Sequence, residues 1–151
     1  MKKLTAILLS TICMLAFAAC SANAGSDGSE THAEDWGITL AVKDVTVSGL
    51  TLVCSQSGGI AKGSLETGSE YWLEKLENGT WIRVQPAATP VWDMMSHLIP
   101  RGESIEWDVN WTWLYGEIGA GSYRICKTIV DFTESGASEG QFYCAEFEIK
   151  G

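Results

Sequence analysis

From Trp36 onward, apolar and polar positions alternate with a period of two. Ile38, Leu40 and Val42 alternate with Thr39 and Ala41, and Leu50, Leu52 and Cys54 with Thr51, Val53 and Ser55. Ile105, Trp107, Val109 and Trp111 alternate with Glu106, Asp108 and Asn110 in the same way. Segments 71–76 and 80–84 flank Asn78-Gly79, the strongest short hairpin signal in the chain. Segments 123–130 and 142–149 complete the set, and none of the segments has a 3.6-residue period. Alternation of this kind places one set of side chains on a buried face and the other in water, which is the signature of a strand. About seven short strands joined by Gly-rich connections predict an all-β domain, an antiparallel β-sandwich, over residues 36–151.

The hairpin assigns faces. A two-residue turn pairs Leu76 with Trp81, Glu74 with Arg83 and Leu73 with Val84. Tyr71, Leu73, Ile82 and Val84 then share the core face, while Trp72, Glu74, Leu76, Trp81 and Arg83 share the other. Glu74 opposite Arg83 marks that second face as wet. Trp72 and Trp81 beside the pair form, with Glu74 and Arg83, the candidate contact surface, because exposed aromatic anchors are enriched in interfaces.

The N-terminal pattern is of another kind. Lys2 and Lys3 precede an apolar run over residues 4–19. That run is shorter than the roughly 20 residues a membrane-spanning helix needs, and it abuts small residues, so it reads as an export leader. Two cleavage readings stand. Phe17-Ala18-Ala19-Cys20 resembles the lipobox of bacterial lipoproteins, which makes Cys20 the lipidated N-terminus of the mature chain. Ala22-Asn23-Ala24 is an A-x-A site that would release a secreted protein beginning at Gly25. The first is preferred because the apolar run ends at Cys20 and a polar stretch follows directly. The expected organisation is a signal peptide over 1–19, a flexible tether over 20–35 and the sandwich over 36–151. His32 lies alone in the tether and reads as a solvated histidine.

Charge narrows the partners. The chain has 19 acidic against 10 basic side chains. Loss of Lys2 and Lys3 with the leader leaves 8 basic groups and a charge of −11. Nucleic-acid binding is thereby disfavoured, since it needs a basic patch to displace counterions. Attraction to an anionic membrane surface is excluded as the source of anchoring. Acyl chains on Cys20 would hold the protein at the membrane irrespective of its charge.

The stretch Trp111-Thr-Trp-Leu-Tyr-Gly-Glu-Ile-Gly-Ala-Gly-Ser-Tyr-Arg-Ile, followed by Phe142-Tyr-Cys-Ala-Glu-Phe-Glu-Ile, resembles a bacterial immunoglobulin-like domain family. Ser48-Gly-Leu-Thr-Leu, Tyr71-Trp-Leu-Glu-Lys-Leu-Glu-Asn-Gly-Thr-Trp and Leu98-Ile-Pro fit the same pattern in the same order. The resemblance spans residues 36–151. It implies an Ig-like sandwich on an exported or surface protein and implies no catalytic residues; related domains also occur attached to β-lactam-sensing membrane proteins. Gly121-x-Tyr123 is similar to the tyrosine corner of such sandwiches. The matching inter-sheet disulfide would need a cysteine two residues after that tyrosine, where Ile125 stands.

Three cysteines remain in the domain: Cys54, Cys126 and Cys144. Strand parity turns Cys54 inward with Leu50 and Leu52. It turns Cys126 and Cys144 outward on two strands expected to be neighbours, so these two are the candidate disulfide, with Cys54 a buried thiol. Three reduced cysteines acting as small hydrophobes are the other reading.

No constellation for catalysis is legible. His97 is the domain's one histidine and reads as an ordinary strand or loop residue, no G-x-S-x-G elbow occurs, and no Ser precedes a Lys by three residues. No catalytic residue, metal ligand or cofactor site is therefore assigned. Cysteine and histidine spacings do not suit zinc. Glu106, Asp108 and Asn110 diverge along a strand instead of converging as calcium ligands do. By parity Trp107, Trp111 and Trp113 face the core together. Residues 131–141, with three acids, two Gly and two Ser, read as a long connecting loop that could recognise a partner. The sequence thus predicts a non-enzymatic, membrane-anchored surface lipoprotein. Three roles follow from it: a binding or adhesion module, an accessory or sensory envelope domain acting through a protein partner, or a carbohydrate-binding module using Trp72 and Trp81.

Overall fold

The computed structural model describes residues 35–151. The leader, Cys20, Ala24, His32 and nearly all of the tether lie outside the described residues. The elements in chain order are β1 (Ile38–Lys43), β2 (Gly49–Gln56), β3 (Ser64–Gly68), β4 (Trp72–Glu77), β5 (Thr80–Arg83), β6 (Ser96–Leu98), β7 (Ser104–Asn110), a single helical turn α1 (Thr112–Tyr115), β8 (Gly121–Phe132) and β9 (Ser138–Ile149). They form two antiparallel sheets stacked as a sandwich. The smaller sheet runs β1-β2-β7; the larger runs β5-β4-β8-β3-β6, with β9 on the other edge of β8.

Alternation is kept where strands are covered on one side only. In β2, Leu50, Leu52, Cys54 and Gln56 are buried and the residues between them are half-buried. In β7, Ile105, Trp107 and Val109 are half-buried while Ser104, Glu106, Asp108 and Asn110 are exposed. The β4–β5 hairpin has the expected register, Glu74 opposite Arg83 and Leu76 opposite Trp81. Asn78 and Gly79 both carry positive φ, 51° and 80°, as a two-residue turn that matches the strand twist requires.

The core has two lobes. One gathers Leu50, Leu52, Leu73, Trp111, Ile125 and Phe147, and the other Trp36, Cys54, Leu65, Ile99, Ile129 and Tyr143. Leu40 and Trp107 pack against both. On one flank β1 lies against β9 and shuts the sandwich.

Several expectations from the alternation fail locally. Ile82 was placed in the core but is 47% exposed, because β5 is the outermost strand of the larger sheet and the three-stranded sheet does not reach across to cover it. Trp113 is 46% exposed, while Trp111 is fully buried. Strand β7 ends at Asn110, and in the turn that follows each residue advances about 100° instead of 180°, so strand parity no longer applies. Residues 131–141 are not a long loop. Pairing of β8 with β9 continues to Phe132 opposite Ser138, leaving only residues 133–137 to turn the chain. Two short strands, β3 and β6, lie where no periodic signal was legible, because three to five residues are too few to establish a period.

Candidate functional site

Strands β3 and β4 lie end to end along the same edge of β8. β4 pairs with it from Tyr123 to Cys126, and β3 from Val130 to Phe132. Between them the ladder is interrupted, and the inward row of β8 there places Lys127 among Tyr123, Ile125 and Ile129. Lys127 is only 5% exposed. Its ammonium donates to the carbonyls of Gly68 at 2.6 Å and Glu70 at 3.1 Å, in the β3–β4 connection, and lies 5.4 Å from the centre of the Trp107 ring. Burial pushes its pKa down to about 8, with Cys54 and Glu70 acting in the opposite sense. Neighbouring Cys54 is pushed up to about 11 by its own burial.

Above this amine a cleft of about 340 Å³ opens between β7 and the β3–β6 side of the larger sheet. Its walls are aromatic. Trp92 meets Trp113 edge-to-face, with ring centres 5.2 Å apart and planes at 81°, and Tyr71 meets Trp92 at 5.1 Å and 63°. His97, on β6, lies edge-on to Trp107 at 6.2 Å. One carboxylate, Asp93, lines the same cleft from the β5–β6 connection; Asp108 borders it on β7, with its side chain on the outer side of that strand. Asp93 accepts from the Ser69 hydroxyl and from the Met95 N–H, which hold its pKa below the usual range, and Asp108 accepts from Thr51 at 3.0 Å. Trp92 and Asp93 belong to the irregular connection between β5 and β6. That connection is held by Ala87 N–H on the Leu114 carbonyl and by Ser69 on Asp93. Val91, between these tethers, and Met94 and Met95, between Asp93 and β6, are exposed.

The expected contact surface lies on the outer face of the larger sheet and is organised differently. Arg83 sits over the Trp72 ring at 5.0 Å and Arg124 over the Trp81 ring at 4.9 Å. Glu74 joins them, accepting from Trp72 Nε1 at 2.9 Å and from Arg124 Nε at 2.7 Å. Both indoles are half-buried and each already has a cation against it. In the next row Cys126 stands opposite Cys144 and the two are disulfide-bonded, with Cα atoms 4.1 Å apart. Parity turns the pair outward, yet Cys126 is fully buried: Trp72 and Phe142, with ring centres 6.0 Å apart, cover that part of the face. Cys54 is a buried free thiol.

Trp111 serves packing. It stacks on Phe147 with centres 5.7 Å apart, and its Nε1 donates to the Val47 carbonyl at 2.9 Å. Glu106 pairs with Lys43 at 2.7 Å, and the Asn110 side chain accepts from Thr112 N–H at 2.9 Å. Among the described residues no three His, Cys, Asp or Glu side chains gather as metal ligands.

A family model described as a bacterial Ig-like domain matches residues 34–148. The chain belongs to this family. No curated protein and no solved structure matches it. Domains of this family are typically surface-exposed and non-enzymatic. In this Ig-like domain the Tyr123 hydroxyl donates to the Gly119 carbonyl at 3.0 Å, fastening the crossing between α1 and β8 as a tyrosine corner does. Ile125, two residues on, is fully buried. The disulfide of this Ig-like domain joins neighbouring strands of one sheet and does not cross between the sheets.

Most of the cleft was missed by sequence reasoning, although one signal was present. Continuing the inward parity of β8 from Tyr123 and Ile125 reaches Lys127, and then Asp131, which is 4% exposed and accepts from the Lys62 and Gly63 N–H groups. Charged residues in a core row conflict with the pattern around them, and such conflicts mark sites or special structural tasks.

Proposed function

We propose that this protein is a non-enzymatic Ig-like binding module displayed at the cell surface. It is tethered to the membrane by acyl chains on Cys20 and recognises its partner, an envelope protein or glycan, through the cleft beside Lys127. The single observation that carries this reading is the cleft itself. It has about 340 Å³ of space, inside the range of roughly 300–1,000 Å³ in which small-molecule sites fall. Aromatic walls supply apolar contact area, and a few polar groups placed among them can fix orientation. Trp113, half exposed at the mouth, supplies an amphipathic anchor of the type that dominates recognition surfaces.

The outer face offers a second surface. Leu76, 40% exposed, stands beside Trp81, with Glu146 and Glu148 across a shallow depression. That arrangement suits a protein partner lying flat on the sheet.

Capture from envelope fractions by the immobilised exported chain tests the assignment. Capture retained by Trp81→Ala and lost by Trp113→Ala supports the cleft; the reverse moves recognition to the outer face. Mass spectrometry of the mature N-terminus tests the anchor: a diacylated Cys20 supports it, and an unmodified start at Gly25 replaces it with secretion.

A further inference from the structure

The geometry points to a neutral saccharide of one or two rings as the ligand of the cleft between β7 and β6, with Lys127 as the deep donor and Trp113 as the stacking platform. This rests on the cleft being the recognition site.

Charge comes first. An ammonium carries three N–H donors. Lys127 places two of them on the carbonyls of Gly68 and Glu70 and lies 5.4 Å from the Trp107 ring centre, and among the described residues no hydrogen-bond acceptor takes the third. A cationic ligand would meet this fixed positive charge at the floor. An anionic one would pass Asp93 near the mouth, on a chain with 19 acidic against 10 basic groups. A neutral ligand avoids both penalties.

Hydrogen bonding comes second. The floor offers a donor, while the Asp93 carboxylate at the mouth offers acceptors. A ligand that satisfies both ends must accept at one point and donate at others, which a hydroxyl does with one group. Neighbouring hydroxyls on a ring also match the two oxygens of a carboxylate.

The walls supply the third feature. Trp92 and Trp113 meet nearly at right angles, which leaves an apolar corner. The C–H face of a pyranose can lie on an indole there while its hydroxyls turn to Asp93. The volume of about 340 Å³ suits a ligand of this size and excludes a long folded segment.

The test is titration of the full exported chain with neutral saccharides (glucose, N-acetylglucosamine, maltose, cellobiose) beside their charged counterparts glucosamine and glucuronic acid. Tryptophan fluorescence and calorimetry read the binding. The expected result is saturable binding of at least one neutral saccharide. Binding should weaken roughly tenfold or more in Trp113→Ala and in Lys127→Met, remain unchanged in Trp81→Ala, and be weaker for the charged counterparts. Thermal unfolding of each variant separates loss of the site from loss of the fold, and Trp113→Phe, which keeps a ring, should recover part of the affinity. Absence of saturable binding to any neutral saccharide overturns the ligand class, as does tighter binding of the charged forms. If saccharides fail while Trp113→Ala still abolishes capture of an envelope protein, the saccharide proposal falls and the cleft stands as a protein-binding site. If Trp113→Ala alters neither, both fall.

Discussion

Two groups of tryptophans sit within reach of solvent, and they are built in opposite ways. On the outer face, Trp72 and Trp81 each lie under a guanidinium, and Glu74 ties the ladder together. In the cleft, Trp92 and Trp113 contact other rings by their edges and leave a corner open. The first group is close to self-satisfied, since each cation–π contact contributes about 0.5–1 kcal/mol or more, and a ligand would have to displace partners of similar strength. The second group has unused surface beside Lys127, whose ammonium, already on two carbonyls and near the Trp107 ring, has one N–H that takes no acceptor among the described residues. Availability for binding therefore depends on whether a residue's faces and donors already have partners, and a residue's place on a strand does not reveal that.

The contrast can be broken from beneath. Trp111→Ala removes a fully buried indole from the core lobe that holds Leu73 and Ile125 of the larger sheet and packs against Trp92, and it should cost about 3–5 kcal/mol in denaturant unfolding. Replacing Cys126 and Cys144 together by Ala should cost about 3 kcal/mol, as expected for a link closing a loop of 18 residues, while leaving cleft binding intact. Intact mass with and without reductant verifies the bond first.

Lys127 sharpens the comparison through pH. Its folded pKa of about 8 lies below the ordinary 10.5. Between these values the unfolded chain holds a proton that the folded chain has released, so this group makes stability rise with pH across that window. Cys54, at about 11 against an ordinary 9.0, binds its proton more tightly when folded and makes stability fall from about pH 9 upward. Denaturation of the wild type minus that of Lys127→Met should thus give a difference that grows from pH 8 to 10.5. A flat difference would show the amine to be solvated. Lys127→Met should also cost about 1–3 kcal/mol at pH 7 by leaving two buried carbonyls without a donor.

Smaller effects separate the two faces most cleanly. Glu74→Ala should cost about 1–2 kcal/mol, because it removes the ion pair with Arg124, at 15% side-chain exposure, and the acceptor of Trp72 Nε1. Trp113→Ala should cost only about 0.5–1.5 kcal/mol, the worth of its edge contact with Trp92, and yet weaken ligand binding roughly tenfold or more.

Much of the fold is written in local pattern. Leu50, Leu52 and Cys54 alternate with Thr51, Val53 and Ser55, and Asn78-Gly79 forms the turn that brings Glu74 opposite Arg83. Each of these depends on neighbours within a few residues, so a single sequence displays it. The outer-face group was legible for the same reason: Trp72, Glu74, Trp81 and Arg83 belong to one hairpin. Trp113 was misplaced because the strand stopped three residues before it, and an end of alternation carries no mark when the next residues are also apolar.

The sequence by itself determined that the elements are strands stacked into a sandwich, and which side chains of β2 turn inward, because side-chain alternation and turn chemistry are local properties of the backbone. Tertiary structure alone decided that β3 and β4 share one edge of β8 and leave a gap over Lys127. It also decided that Tyr71, Trp92, Trp107 and Trp113 gather around that gap. Strand pairing between distant segments sets where a sheet is continuous and where it opens, and the free energy of that choice is spread over the whole core, with no short motif to carry it.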